Sequence, residues 1–253
     1  RWSGLPGDVE FVLDLLEKIA QRYGRRHALW GIQPLNEPIT TALLGDKSWE
    51  ESGISHRYLA ADPELVKGSA PISIAFLRDF YTMAYQRLRL YLPLDKAVVF
   101  HDAFCLPLWK DFLQQSGFQN VVIDTHMYLS SLEMLGCEQS PAGYAQAIQT
   151  HFAAQLQEMS ACCPVICGEW CLDSSYTRSL PDGPLRDEGY RQLAELLLTA
   201  WQQCAGSFYW NYKLLNAGEH VACWDFLSCL CRGWLPSPIE ARRFSTLPQA
   251  AGC

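Results

Sequence analysis

The sequence predicts a parallel α/β fold of the (β/α)8 TIM barrel type, incomplete, with five of the eight strands legible. Amphipathic helical stretches alternate with short, continuous apolar runs, the pattern of buried parallel strands joined by helices. Those runs end in polar or aromatic residues: Asn36-Glu37, His101-Asp102, His126 and Tyr128, Glu169-Trp170, and Trp210. A doubly wound sheet concentrates its site at one switch point, whereas a barrel draws on the end of nearly every strand. The spread of chemistry over five strand ends therefore favours the barrel.

The elements follow in order. Asp8 to Tyr23 reads as a helix, with Val12, Leu15, Leu16 and Ile19 on one face, early acids and Gly24 as the stop. Leu29 to Leu35 is the first strand. Ile39 to Pro71 is a long connection rich in Gly, Ser, Asp and Pro, and connections of that length are usually functional or disordered. Ser73 to Leu92 is a helix that buries Leu77, Phe80, Ala84 and Leu88 and is ended by Pro93. Lys96 to His101 is a strand, Leu108 to Gln115 a short helix closed by Gly117, and Val121 to His126 the next strand. Tyr144 to Met159 carries Ile148, Phe152 and Leu156 at i, i+4, i+8. The Pro164–Gly168 run delivers Glu169, a polar loop spans Asp173 to Asp187, and a helix from Glu188 to Gln203 precedes the strand Gly206 to Tyr212.

Composition narrows the function. The 253 residues suit one sizeable core and a single domain, with 49% hydrophobic and 19% charged residues. A net charge of -7 without a Lys/Arg cluster argues against nucleic acid and an anionic membrane surface, and no stretch is long and apolar enough to span a bilayer. Nine Trp and eleven Tyr offer flat faces of the kind on which sugar rings stack, although most are expected in the core. Eleven cysteines is a high, odd number, and no Asn-x-Ser/Thr sequon occurs. Several lie in strand-like runs where a thiol behaves as a small hydrophobe, so mostly reduced cysteines are expected and a cytoplasmic location is slightly favoured over a secreted one. The chain opens at Arg1 rather than Met and reads as cut from something longer.

Two carboxylates at strand ends, Glu37 and Glu169, suit a retaining glycosidase, which needs an acid/base and a nucleophile on opposite sides of the sugar bond, about 5–5.5 Å apart. Pro38 turns the chain away just after Glu37, and Asn36 can donate an amide hydrogen bond toward a sugar 2-hydroxyl. His126 and Tyr128, two residues apart on a strand, face the same side. Other chemistries fare worse. Cys163, Cys167 and Cys171 are spaced by three residues and Cys229-x-Cys231 by one, unlike zinc pairs, so no metal site and no cofactor is implied. The Gly-x-Ser-x-Gly elbow, the phosphate loop and the dinucleotide fingerprint are also missing from the sequence.

Taken together, Leu-Asn-Glu-Pro at 35–38, His-Asp-Ala-Phe at 101–104, Asp-Thr-His-Met-Tyr at 124–128, Gly-Glu-Trp at 168–170 and Tyr-Trp-Asn-Tyr-Lys at 209–213 resemble glycoside hydrolase family 5, in its exo-β-1,3-glucanase-like branch. The resemblance implies that strands 4 to 8 of the barrel are present, with Glu37 as acid/base and Glu169 as nucleophile. It further implies that His126 borders the acid/base, that Tyr128 hydrogen-bonds the nucleophile, and that Trp210 floors the subsite of the reacting sugar. His101-Asp102 matches a strand end that either supports the site or touches sugar, and Trp170 either lines the site or packs the wall. Leu214-Leu215 departs from the polar pair common in fungal members, which puts the more distant subsites in doubt.

The expected partner is a β-glucan oligo- or polysaccharide, with β-1,3 linkage favoured by branch resemblance. A β-1,4-glucanase or mannanase relative and a non-catalytic carbohydrate-binding barrel are the alternatives. The family's earlier strands contribute an arginine and a histidine to the nucleophile's subsite. A barrel without those strands would leave unpaired edges at the strands of Glu37 and Trp210 and an inner face partly uncovered. Residues 1–253 alone are therefore expected to aggregate or to be only weakly soluble, and to hydrolyse β-glucan at no more than trace rates.

Overall fold

The computed structural model describes residues 6–45, 70–215 and 219–236. Five strands, β1 (Gly31–Ile32), β2 (Ala97–His101), β3 (Val121–His126), β4 (Val165–Trp170) and β5 (Gly206–Tyr209), follow one another in the sheet in chain order. An order that never reverses has no switch point, which excludes the doubly wound alternative; with helices between the strands it is the order of a partial β/α barrel. The chain forms two compact units, Arg1–Asp124 and Thr125–Cys253.

In the first unit α1 (Pro6–Tyr23) starts two residues before the predicted Asp8, since Pro6 supplies a preset φ and its missing N–H costs nothing in a first turn. Its buried face is Leu13, Leu16 and Ala20, rotated from the expected one, and Leu15 stands outward. Charge accounts for the rotation: Glu10, Asp14 and Glu17 all bond the Arg87 guanidinium of α3 (Ile74–Arg89), which turns that side of α1 toward its neighbour. Gly24 ends α1 where a Cβ would lie 2.5 Å from the Ala20 carbonyl oxygen, so the position admits no side chain. The α3 helix buries the four predicted residues plus Tyr81, and Ser73 caps it by accepting the Phe76 N–H at 3.1 Å.

Strands β2 and β3 are buried along their whole length, as expected of a parallel sheet covered on both faces. They pair from Val98↔Val121 to His101↔Asp124. The β1 strand is much shorter than the predicted Leu29–Leu35. Pro34 lacks the donor a longer ladder needs, and the Gln33 side chain instead bonds Asp124 at 3.0 Å. Most of the predicted long connection, 46–69, lies outside the described residues. Its described ends are tied together by Thr41 N–H to Ile72 O and Ile72 N–H to Ile39 O, with α2 (Thr41–Leu44) beside them.

In the second unit, α5 (Leu129–Met134) follows β3 closely; α4 (Lys110–Gln115) is the short helix before β3. The predicted helix before β4 runs from Pro141 to Ser160, with a π-helical stretch at Ile148–Ala153 between α6 (Pro141–Ala147) and α7 (Ala154–Ser160). The predicted polar loop after Glu169 contains α8 (Ser175–Ser179) and the start of α9 (Pro184–Ala200), both hidden from a periodicity reading by short length or by a Pro start. After β5 come a 3-10 helix, Glu219–Trp224, and α10 (Phe226–Cys231). Among the described residues, the ten cysteines form no disulfide. Among the described residues, no helix is long and apolar enough to cross a membrane.

Candidate active site

In the first unit, Glu37 lies half-buried five residues beyond β1 and holds a left-handed φ of 45°. Such a backbone is uncommon for a residue with a side chain, and strain of this kind clusters at functional positions. Pro38 is buried directly behind it, while Asn36 is exposed. A Glu37 carboxylate oxygen and a His101 ring nitrogen lie within 4.8 Å of one another.

The β2 end turns sharply through Ala103 and Phe104, two consecutive residues with φ of 54° and 59°. Neighbouring side chains hold the turn. The Ala103 N–H donates to His101 Nδ1 at 3.0 Å, and the Phe104 N–H donates to Asp102 Oδ1 at 2.8 Å. His101 Nδ1 therefore accepts, which leaves the ring proton on Nε2 and rules out reading its 3.6 Å approach to Asp102 Oδ1 as an ion pair. His101 and Asp102 thus both accept backbone N–H groups of this turn, and the imidazole lies near Glu37.

In the second unit, Glu169 sits at a register irregularity of β4 against β5, between Cys167 and Trp170. A bulge there re-aims one side chain where regular alternation would not. The Tyr128 hydroxyl donates to Glu169 Oε2 at 2.6 Å, and His126 Nδ1 lies 3.5 Å from the same oxygen. Tyr128 keeps an extended backbone beyond the end of β3, so the two-residue alternation carries it to the side of His126. The structure brings these three predicted residues together around one carboxylate whose side chain is 12% exposed.

Trp210 follows β5 and donates its N–H to the Trp170 carbonyl at 2.8 Å. Its side chain is 47% exposed, an open indole face beside the strand that carries Glu169. A cis peptide joins it to Asn211. Trp170 is wall: it is buried against Trp201 and Tyr209, at ring distances of 5.9 and 4.8 Å.

Two features escaped the sequence reading. Glu133 on α5 accepts from Tyr144 Oη at 2.5 Å, Ser175 N at 2.7 Å and Ser175 Oγ at 2.7 Å, which ties the segment after Tyr128 to the segment after Glu169. Burial pushes its carboxyl up, but these hydrogen bonds and the Arg178 charge outweigh burial and hold it below the ordinary range. The second is Trp224, whose ring packs on Tyr128 with centroids 5.4 Å apart. Its Trp-Asp-Phe sequence was the available signal, an aromatic next to an N-capping aspartate; Asp225 caps α10 through Ser228 N–H at 2.8 Å.

No protein-family model matches the chain. Among curated proteins it is similar to the glucan 1,3-beta-glucosidase of Candida oleophila, 26% identical over 275 residues that cover 94% of this chain and 56% of the relative. The Schwanniomyces occidentalis enzyme of the same name is 25% identical, over 94% of this chain and 55% of that one. Glucan 1,3-beta-glucosidase I/II of Saccharomyces cerevisiae is 26% identical over 66% of this chain and 43% of its own length. Among solved structures, the beta-glucanase SdGluc5_26A of Saccharophagus degradans, in complex with cellotetraose, has a TM-score of 0.50 at 11% identity, over 88% of this chain and 60% of that one. That likeness is one of fold, and it agrees with a partial barrel. The chain spans a little over half the length of the first two curated relatives.

Proposed function

We propose that this homologue of glucan 1,3-β-glucosidases is a retaining β-glucan hydrolase, with Glu169 the nucleophile and Glu37 the acid/base, and that its two units are parts of one catalytic barrel domain. The observation that carries the reading is the 2.6 Å hydrogen bond from Tyr128 to Glu169 at the irregular end of β4. A phenol donating to one carboxylate oxygen favours the ionised form and fixes its direction, and a nucleophile needs both. A protein that only binds sugar has no use for a carboxylate prepared in this way.

In the proposed reaction, Glu169 attacks the anomeric carbon while Glu37 protonates the departing glycosidic oxygen. The C–O bond to the leaving group breaks and a glycosyl ester forms on Glu169. Water, deprotonated by Glu37, then attacks the same carbon and releases the carboxylate with retained configuration. Asn36 is assigned a hydrogen bond to the sugar 2-hydroxyl and Trp210 the stacking face for the reacting sugar. His126 is assigned to the border of the acid/base. The curated relatives, glucan 1,3-beta-glucosidases, favour the β-1,3 linkage; the cellotetraose held by the structural neighbour keeps β-1,4-glucan in the substrate panel.

A 2-deoxy-2-fluoroglucoside with a good leaving group tests the assignment, since it should label Glu169 and leave Glu37 unmodified. In the full-length parent protein, Glu169→Ala should abolish turnover, and azide should restore part of it as the inverted glycosyl azide. Glu37→Ala should spare glycosylation by substrates with activated leaving groups, which need little protonation. Label on another residue, or two variants with the same leaving-group dependence, would defeat the proposed roles.

A further inference from the structure

We propose that Trp224 is a positioning residue: its indole, fixed by hydrogen bonds to the backbone on either side of it, holds the Tyr128 phenol in place on Glu169. The inference rests on Glu169 being the nucleophile. Tyr128 is half-buried and turns about two side-chain bonds, so a hydroxyl held at 2.6 Å from Glu169 Oε2 requires that the ring be stopped from rotating. The Trp224 ring lies against it at 5.4 Å with 32° between the planes, a tilted aromatic contact of the favourable kind.

The mounting of Trp224 is what sets it apart from an ordinary packing residue. Residues 223 to 226 belong to no strand, yet each is tied to β4, β5 or the chain just beyond them. The Cys223 carbonyl accepts from the Tyr209 hydroxyl, and more weakly from the Leu172 N–H at 3.4 Å. The Trp224 carbonyl accepts the Asn211 N–H at 2.7 Å, and the Asn211 carbonyl accepts the Phe226 N–H at 2.9 Å. Between them, the Asp225 carboxylate accepts the Leu214 N–H and the Ser228 N–H, both at 2.8 Å. Burial pushes the Tyr209 phenol far above its ordinary range, which keeps it protonated and able to donate. The stretch after β5 therefore presents one rigid aromatic plane to the residue that holds Glu169.

The test is a double-mutant cycle on kcat and KM with an aryl β-glucoside, in the enzyme as it exists. Trp224→Leu should lower kcat about ten- to hundredfold, the loss expected when a charge-assisted hydrogen bond to the nucleophile fails, with KM within about twofold. Tyr128→Phe should lose a similar factor, and the two together no more than the larger single loss, because both remove one interaction. Trp224→Phe, which keeps a ring plane, should recover most of the rate. Trp224→Met fills the volume without a plane and serves the same cycle if the Leu variant does not fold. Losses that multiply in the double variant, a loss carried by KM, or a Phe variant as slow as Leu would each overturn the proposal. Fluoroglucoside labelling of the parent separates the two failures. A label away from Glu169 sinks the catalytic assignment and this inference with it, whereas a labelled Glu169 with multiplying losses sinks the positioning role alone.

Discussion

Glu133→Gln is the substitution that most directly probes how the second unit is held together. The Glu133 side chain is only 13% exposed and accepts three hydrogen bonds, from Tyr144 Oη, Ser175 N and Ser175 Oγ, with Arg178 4.0 Å away. A hydrogen bond to a charged group is worth about 1.5–3 kcal/mol, against about 1 for a neutral one. The amide keeps one acceptor oxygen, but its NH2 group replaces the other. Weakening three bonds by roughly 0.5–1 kcal/mol each gives about 2 kcal/mol, with little added for Arg178, which is half-exposed and screened. For a chain of this size that is about 4–8 °C in the unfolding midpoint. The pH dependence has a definite sign. The folded carboxyl titrates below its ordinary value, so its contribution is complete above the unfolded value, about 4.3, and is lost as pH falls through the lower folded one. Glutamine resembles the protonated acid, so parent and variant should differ most at neutral pH and converge as pH falls through that lowered folded value. Urea unfolding of both proteins across that range is the assay. A gap that stays constant with pH, or a variant as stable as its parent at pH 7, would refute the reasoning.

Two further outcomes follow from the charges and thiols. Arg87→Met leaves Glu10, Asp14 and Glu17 facing one another without their shared cation, so the thermal midpoint should fall, and fall further in low salt than in high. A fall of the same size at both would remove the electrostatic explanation for the orientation of α1. Burial pushes the Cys229 thiol up to about 11 and the Cys223 thiol up to about 12, and Cys171 is pushed higher still. In the native protein at pH 8 iodoacetamide should therefore modify the exposed Cys231 and spare these three until denaturant is added, as read by peptide mass mapping. Labelling of the buried trio at the rate of Cys231 would contradict that order.

The sheet was the more legible part of the molecule because its signal is local. A parallel strand buried on both faces must be a continuous apolar run, and Val98 to His101 and Val121 to His126 carry that pattern in their own residues. The strand at Gly31 was overread for a related reason: Leu29 to Leu35 is apolar, but hydropathy does not register the donor missing at Pro34. Orientation of helix faces was less legible. The α1 stripe expected at Val12, Leu15, Leu16 and Ile19 shares only Leu16 with the buried face, and the Arg87 that draws Glu10, Asp14 and Glu17 to one side is distant in sequence. The short helices α5, α8 and α10 carry too few turns for a period to show.

The same distinction between local and distant information governs the candidate site. Glu37, His126, Tyr128 and Glu169 could be singled out because each stands at the end of a run that is itself readable. What holds them could not. The Tyr128 hydroxyl meets Glu169 at a register irregularity of β4, and such an irregularity leaves no mark in hydropathy. Glu133 reaches Ser175 across 42 positions of sequence, and Trp224 meets Tyr128 from a segment with no strand or long helix to announce it. These supports are side-chain hydrogen bonds and ring contacts between segments distant in sequence. A consequence follows for substitutions. Changes that remove the side-chain contacts of Glu133, Tyr209 or Trp224 should act on the site more strongly than truncations in the strand cores, because each of those contacts alone joins two segments whereas a strand's backbone is held by a whole ladder. Comparing Tyr209→Phe with Val122→Ala makes the contrast measurable. The first removes the donor that Cys223 accepts and should depress kcat out of proportion to any loss of stability. The second leaves a cavity in β3 and should cost stability while leaving kcat nearly intact in the protein that remains folded. If the two variants lost kcat and stability in the same ratio, the site would depend on general packing and not on these individual contacts.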